Sequence, residues 1–137
     1  FHGATYTSKY LTFTPVEMET NIPDPSTGGY TTLETPTKAQ QALIAKYDAA
    51  PYTTQAGAIP FIYFGGKYLS IGASYDATTL SGLKWDQIAA DLNNPDSAVA
   101  KAINGTANHI TAAICKMTGN QPASACTATV QSLEKSL

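Results

Sequence analysis

Ala56 to Gly72, AGAIPFIYFGGKYLSIG, is the stretch that decides the fold. Ile59-Pro60-Phe61-Ile62-Tyr63-Phe64 is a β-branched and aromatic run, and Tyr68-Leu69-Ser70-Ile71 is a second short apolar segment after Gly65-Gly66. Two such runs around a glycine pair predict a β-hairpin, because glycine reaches the positive φ values of a tight mirror-image turn without a Cβ clash. Proline opens a strand but does not sit inside a central one, so Pro60 marks where the first strand starts.

Outward from the hairpin, Thr5 to Met18 is dense in Thr, Tyr, Phe and Val and predicts an extended segment packed against other strands, ending near Pro15. Asn21 to Thr32 carries two prolines and a glycine pair, which predicts a loop. Thr35-Pro36 is expected to open a helix whose stripe is Ala39, Ala42, Leu43, Ile44 and Tyr47, and which ends at Ala49-Ala50-Pro51. On the other side, Asp76 to Leu80 reads as a capped helical turn interrupted at Gly82. A short helix then places Trp85, Ile88, Ala89 and Leu92 on one face. Asp96 is the expected cap of a long helix with Val99, Ile103, Ala107, Ile110, Ile114 and Met117 in a stripe, stopped at Thr118-Gly119. The tail from Pro122 is weakly helical, with Val130, Leu133 and Leu137 on one side.

The chain has 137 residues, which suits one domain able to bury a core without metals. It carries eight lysines, no arginine and a formal net charge of −2. That balance gives no electrostatic reason to expect nucleic acid or an anionic membrane as a partner. The surface must be made polar by Thr, Ser, Asn, Gln and Tyr. Such a hydroxyl-rich surface suits a secreted protein, and with few carboxylates to titrate it blunts the effect of acid. No run approaches the length of a membrane span. The chain begins at Phe1-His2-Gly3 without methionine, which reads as a processed or truncated product.

Cys115 and Cys126 are the two cysteines, ten residues apart in the chain between them. A secreted setting makes them a disulfide and a cytosolic one leaves two thiols. The spacing is wrong for a CxxC redox pair and leaves too few ligands for zinc. A structural disulfide is the expectation, stabilising by roughly 3 kcal/mol on chain-entropy grounds.

Candidate chemistry is sparse. His2 and His109 are far apart, and His109 reads as a surface or half-buried structural histidine. Asp86 and Asp91 are five apart and do not converge on one helix face. Glu17 and Glu19 share one side of an expected strand, which makes them a solvated edge. No metal site, cofactor or acid–base pair is expected from these groups. Asn104-Gly105-Thr106 is a glycosylation sequon, but it sits inside a predicted helix, and Gly105 is expected to make that helix irregular. Pro60 has two readings: a plain strand-opening proline, or a cis proline that turns sharply and presents the backbone of Ile59 to an extended peptide.

The order of helix, loop, Ile59-Pro60, strand, glycine hairpin and helix resembles the second half of a thioredoxin fold. More specifically, the chain resembles the extracellular thioredoxin-like family catalogued as domain of unknown function 929, found in archaea and actinobacteria. The resemblance is carried by Phe1 to Glu17 (FHGATYTSKYLTFTPVE), Leu33 to Gln40 (LETPTKAQ), Gly57 to Asp76 (GAIPFIYFGGKYLSIGASYD) and Leu80 to Pro122. It implies an α/β, thioredoxin-like fold, incomplete or variant, with a small central sheet, a cis-proline hairpin at Pro60 and a helical C-terminal extension. The expected organisation is a single domain over 1–137, with strands, helix and hairpin in 1–75 and the helical part in 76–137.

The departure lies at the front. The family places a CxxC pair on the first strand-to-helix turn, ahead of the region matching Phe1, and Cys115 and Cys126 cannot stand in for it. The resemblance therefore implies a secreted, extracellular or cell-surface module that is non-catalytic in this chain. It would bind a peptide or a neighbouring subunit through a sheet edge, with Ile59 and Pro60 as substrate-binding residues. The alternative is the C-terminal part of an extracellular thiol–disulfide oxidoreductase whose CxxC lies upstream. A hydrolase or sugar-binding protein has only the tyrosine-rich loops behind it.

Overall fold

A computed structural model describes residues 2–137, which divide into two compact units, one ending at Ala56 and the other spanning Gly57–Leu137. Both mix helix with small antiparallel sheets, the α/β character expected. There are two separate two-stranded sheets among the described residues, in place of one central sheet.

In the first unit, strands β1 (Glu19–Asp24) and β2 (Gly29–Thr32) form a hairpin where a loop was expected. They pair antiparallel, Pro23 opposite Tyr30 and Asp24 opposite Gly29, with an irregularity between Glu19 and Pro23. Proline fits because a two-stranded sheet is all edge, so a missing N–H need not break a ladder bond. The turn is closed by Asp24: its carboxylate accepts the Ser26 backbone N–H at 2.9 Å and the Ser26 hydroxyl at 2.6 Å, and its carbonyl accepts the Gly28 N–H at 3.0 Å. Across the strands the Thr20 and Thr31 hydroxyls hydrogen-bond.

Thr5 to Met18, expected to be extended and packed, holds no strand. Its β-rich composition finds no partner strand, and strand propensity is chiefly a measure of packing against neighbours. Tyr6 and Phe13 instead meet edge to face at 6.3 Å, and the segment's end is held where Glu17 N–H donates to the Glu34 carboxylate. Glu17 and Glu19 consequently do not share a strand: only Glu19 lies in β1.

Helix α1 spans Lys38–Tyr47, with Thr37 as its cap in place of Thr35. The reason is a capping box: Gln40 N–H donates to the Thr37 hydroxyl, and Thr37 N–H donates to Gln40 Oε1 at 2.7 Å. Thr35 has Lys38 at the corresponding position, which cannot accept in return. No α1 residue is buried.

In the second unit, β3 (Phe61–Phe64) and β4 (Tyr68–Ile71) pair in the order expected, Phe61 opposite Ile71 and Phe64 opposite Tyr68. Gly65 and Gly66 have φ of 52° and 81°, and Lys67 N–H closes the turn on the Phe64 carbonyl at 3.0 Å. The positive φ is what calls for glycine at Gly65; a Cβ there would stand 2.8 Å from Met117 Cε, the end of a flexible side chain that would have to shift. The Ile59–Pro60 peptide bond is cis, as are Ala50–Pro51 and Gln121–Pro122.

Asp76 caps a single 3₁₀ turn, Ala77–Leu80, and α2 (Trp85–Asp91) follows. The expected face of α2 is only partly covered. Ile88 and Leu92 are half-buried, whereas Trp85 is 87% exposed at the first position of the helix. Helix α3 runs Ala98–Met117 and is capped by Ser97, not Asp96. Ser97 Oγ accepts the Ala100 N–H at 2.9 Å while donating to the Asp91 carbonyl at 2.8 Å, so one hydroxyl serves both helices. The helix runs through Gly105 without the expected irregularity, since a single interior glycine lowers helix stability by about 1 kcal/mol without forbidding helical backbone.

Past α3, Gly119 and Asn120 have φ of 64° and 61°, and Asn120 N–H returns to the Cys115 carbonyl at 2.7 Å. This left-handed stop satisfies a carbonyl the helix end would leave open. The chain then forms α4 (Ala128–Leu133), capped by Thr127. The core lies here: Ala112 and Cys115 of α3 pack with Cys126 and Val130, and Leu133 covers them. Leu137, expected on the same side, is 41% exposed.

A strand edge and a groove beside it

The expected binding residues stand at the mouth of the β3–β4 hairpin. Ile59 is 81% exposed, two positions before the first residue of β3. The Pro60 carbonyl is already engaged, accepting the Gly72 N–H at 2.9 Å, so Pro60 fixes the mouth while Ile59 presents the apolar surface.

Cys115 and Cys126 are bonded, with sulfurs 2.04 Å apart, and both are buried, at 1% and 3% exposure. Their burial seals the sulfurs from a large thiol reagent, which suits a staple between α3 and the tail. Asn104 is exposed, but its Nδ2 donates to the Leu92 carbonyl at 2.9 Å, tying α3 to the end of α2. The amide that a glycan would occupy is already committed to the fold.

Of the remaining candidates, Asp86 and Asp91 lie at the two ends of the seven-residue α2. His2 stands 3.8 Å from Glu34 in the first unit. His109 is exposed on α3, its Nδ1 hydrogen-bonded to the Gly105 carbonyl at 2.9 Å. No group of three or more His, Cys, Asp or Glu side chains stands where it could hold a metal ion, among the described residues. Hydrogen bonds hold the carboxyls of Asp24 and Asp76 below their ordinary range. Asp24 is lowered by hydrogen bonds from the Ser26 side chain and backbone, and Asp76 by the backbone and side chain of Thr78.

One feature of the site was invisible in the sequence. A groove of about 480 Å³ runs between β4 and α3, with Tyr68, Leu69 and Ser70 on one wall and Lys101, Gly105 and His109 on the other. The α3 residues recur every four positions, so they share a face one turn apart. The signal was there in Gly105, a mid-helix glycine flanked at that spacing by two basic residues, but it reads equally as an irregular helix.

Fold and site together define a mixed α/β protein of short antiparallel hairpins, with a disulfide-stapled pair of helices and an open groove beside a strand. The family model for the domain of unknown function DUF929 matches residues 4–116, and the chain belongs to that family. No curated protein and no solved structure matches the chain.

Proposed function

We propose that this chain is a secreted thioredoxin-like module that binds a peptide or a neighbouring subunit at the Ile59–Pro60 mouth of its hairpin, without catalysis of its own. The observation that carries the reading is Ile59. A large aliphatic side chain 81% exposed, one proline ahead of a strand whose sheet holds one other strand among the described residues, is costly to leave in water. An apolar residue beside an unextended sheet suits strand addition, where main-chain bonds give affinity and a side chain gives specificity. The bonded cysteine pair supports an oxidising, extracellular setting. No helix is long and apolar enough to cross a membrane, among the described residues.

The test is sedimentation of the full chain over rising concentration, beside Ile59→Asp. Concentration-dependent association that weakens by about tenfold or more in the variant, the loss of an interface anchor, supports a neighbouring subunit of the same kind. If the chain stays monomeric and amide exchange shows the hairpin edges already protected, the reading fails.

A second reading, the C-terminal part of a thiol–disulfide oxidoreductase, rests on the resemblance to thioredoxin-like proteins. Cys115 and Cys126 are not placed to exchange, so any thiol–disulfide activity would come from a CxxC upstream of this chain. Insulin reduction by the longer product carrying that segment tests it, and an inert product removes it.

A further inference from the structure

The groove against α3 covers one face of the β3–β4 sheet. Phe64 and Tyr68 stand opposite each other in the ladder, and Ser70 lies two positions beyond Tyr68, so the three side chains share a face. All three line the groove. Across from them α3 contributes two rows of different character. Ala102, Thr106 and Ile110 are half-buried and form a floor, while Lys101 and His109 are exposed along the rim.

The direction of the groove follows from its ends. The Gly65 turn lies against Met117, and the Lys116 ammonium stands 5.9 Å from the centre of the Tyr68 ring, so the tip of the hairpin sits at the C-terminal end of α3. Leu137 joins this end, because the Glu134 carbonyl, one 3₁₀ turn earlier, accepts the Lys116 ammonium at 2.9 Å. Between Ala113 and Lys101 the helix axis advances about 18 Å. Ser74 and Tyr75, beyond the end of β4, line the far end with Lys101. The space is thus a trough, apolar around Phe64 and Ala113 and cationic at Lys101. Its volume of about 480 Å³ lies in the usual range for ligand sites.

We propose that this trough binds a straight-chain fatty acid, with the carboxylate at Lys101 and Ser74 and the alkyl chain lying along the floor toward Phe64 and Ala113. No Asp or Glu side chain lines the groove, among the described residues, so its field favours an anion. His109 stands about 12 Å along the helix from Lys101, too far to share one small head group. A single lysine beside a hydroxyl suits a monoanion. A phosphate calls for the bidentate reader, arginine, which the chain lacks. The length of the trough selects a chain over a ring, which would leave most of the floor in water. Gly105 keeps the rim open between Lys101 and His109, since a Cβ there would meet nothing within 4 Å. This site is separate from the Ile59 mouth and does not depend on it.

The test titrates the full chain, labelled with ¹⁵N, with decanoate, octanoate and decylammonium at neutral pH, each below its micelle-forming concentration. Decanoate is expected to give saturable shifts at the amides of Tyr68, Ser70, Gly105 and Thr106. Octanoate should bind more weakly by about fourfold for each methylene it lacks, the value of a buried methylene. Decylammonium should bind about tenfold more weakly than decanoate, a gap that complementary charge can supply. Lys101→Ala should close most of that gap and leave the ratio of decanoate to octanoate unchanged. Gly105→Leu keeps the fold, leucine being the better helix former. It puts a side chain across the opening and should weaken decanoate about tenfold, the loss of one or two buried methylenes.

Equal affinity for decanoate and decylammonium overturns the proposal, as does a gap that survives Lys101→Ala. Octanoate binding as tightly as decanoate, full affinity in Gly105→Leu, or no saturable shift at millimolar decanoate overturns it too. Shifts at Tyr68 and Ser70 that grow with protein concentration alone make the occupant a second copy of the chain and also overturn it. Shifts confined to Ile59 and Phe61 do the same, by moving the ligand to the mouth of the hairpin.

Discussion

Gly105 illustrates how much a single residue can be asked to explain. In a helix interior glycine costs about 1 kcal/mol relative to alanine, and here neither φ nor a close neighbour requires it. Gly105→Ala is therefore expected to raise stability by about 1 kcal/mol in denaturant unfolding. A loss instead would show that the open wall of the groove is filled in solution. Asp24 and Asp76 act in the opposite direction with pH. Their folded-state values are held below the ordinary 3.8 by hydrogen bonds from Ser26 and Thr78 respectively. Their contributions are thus complete above that value and are lost as pH falls through the lowered one. Thermal melts of Asp76→Ala should run parallel to those of the parent well above the ordinary 3.8 and converge on them as the pH falls through the lowered value, since only the parent has that contribution to lose.

At the scale of elements, the disulfide and the Asn104 tie both constrain the helical part. The cross-link spans 11 positions, so removing it as Cys115→Ala with Cys126→Ala should cost about 3 kcal/mol. Calorimetry of the double variant measures this, and the intact mass of the parent should lie two hydrogens below the dithiol value. Asn104→Ala should cost about 1 kcal/mol, the net worth of one hydrogen bond, and the sequon should carry no glycan when the chain is secreted from a glycosylating host. Mass spectrometry of residues around Asn104 settles that point.

Elements were also where the sequence spoke most and least clearly. The β3–β4 hairpin was legible because Gly65-Gly66 admits few alternatives, and α3 because its stripe and its stop agree. The β1–β2 hairpin was not, since Pro23 and Pro25 look like loop residues until Asp24 closes the turn between the strands. Thr35 and Thr37 are equivalent as caps by type, and only Gln40 decides between them. Ile59 could be named from its place before a strand. The β4–α3 groove could not, because it joins residues some thirty positions apart that no local pattern connects.

Across the molecule, burial is uneven. Each of the eight buried hydrophobic residues, Phe64 to Val130, lies in the unit Gly57–Leu137. Residues 2–56 hold none, while Tyr6, Phe13, Met18, Ile22, Tyr30 and Tyr52 are about half exposed or more. Resistance to local opening follows buried apolar contact. Native-state exchange should find the slowest amides around Ala112 to Cys115 and the fastest before Met18. Limited proteolysis should cut first within residues 2–56. Protection spread evenly over the chain would contradict that gradient.

The contact between Met117 and the Gly65 turn has a chemical consequence of its own. Peroxide adds oxygen to a thioether, converting a soft apolar group to a bulkier polar sulfoxide. The Met117 side chain ends where a turn residue without a side chain leaves it barely enough room. Oxidation at that one sulfur should loosen the hairpin's tip from the end of α3, and Met117→Leu should make the same region indifferent to peroxide.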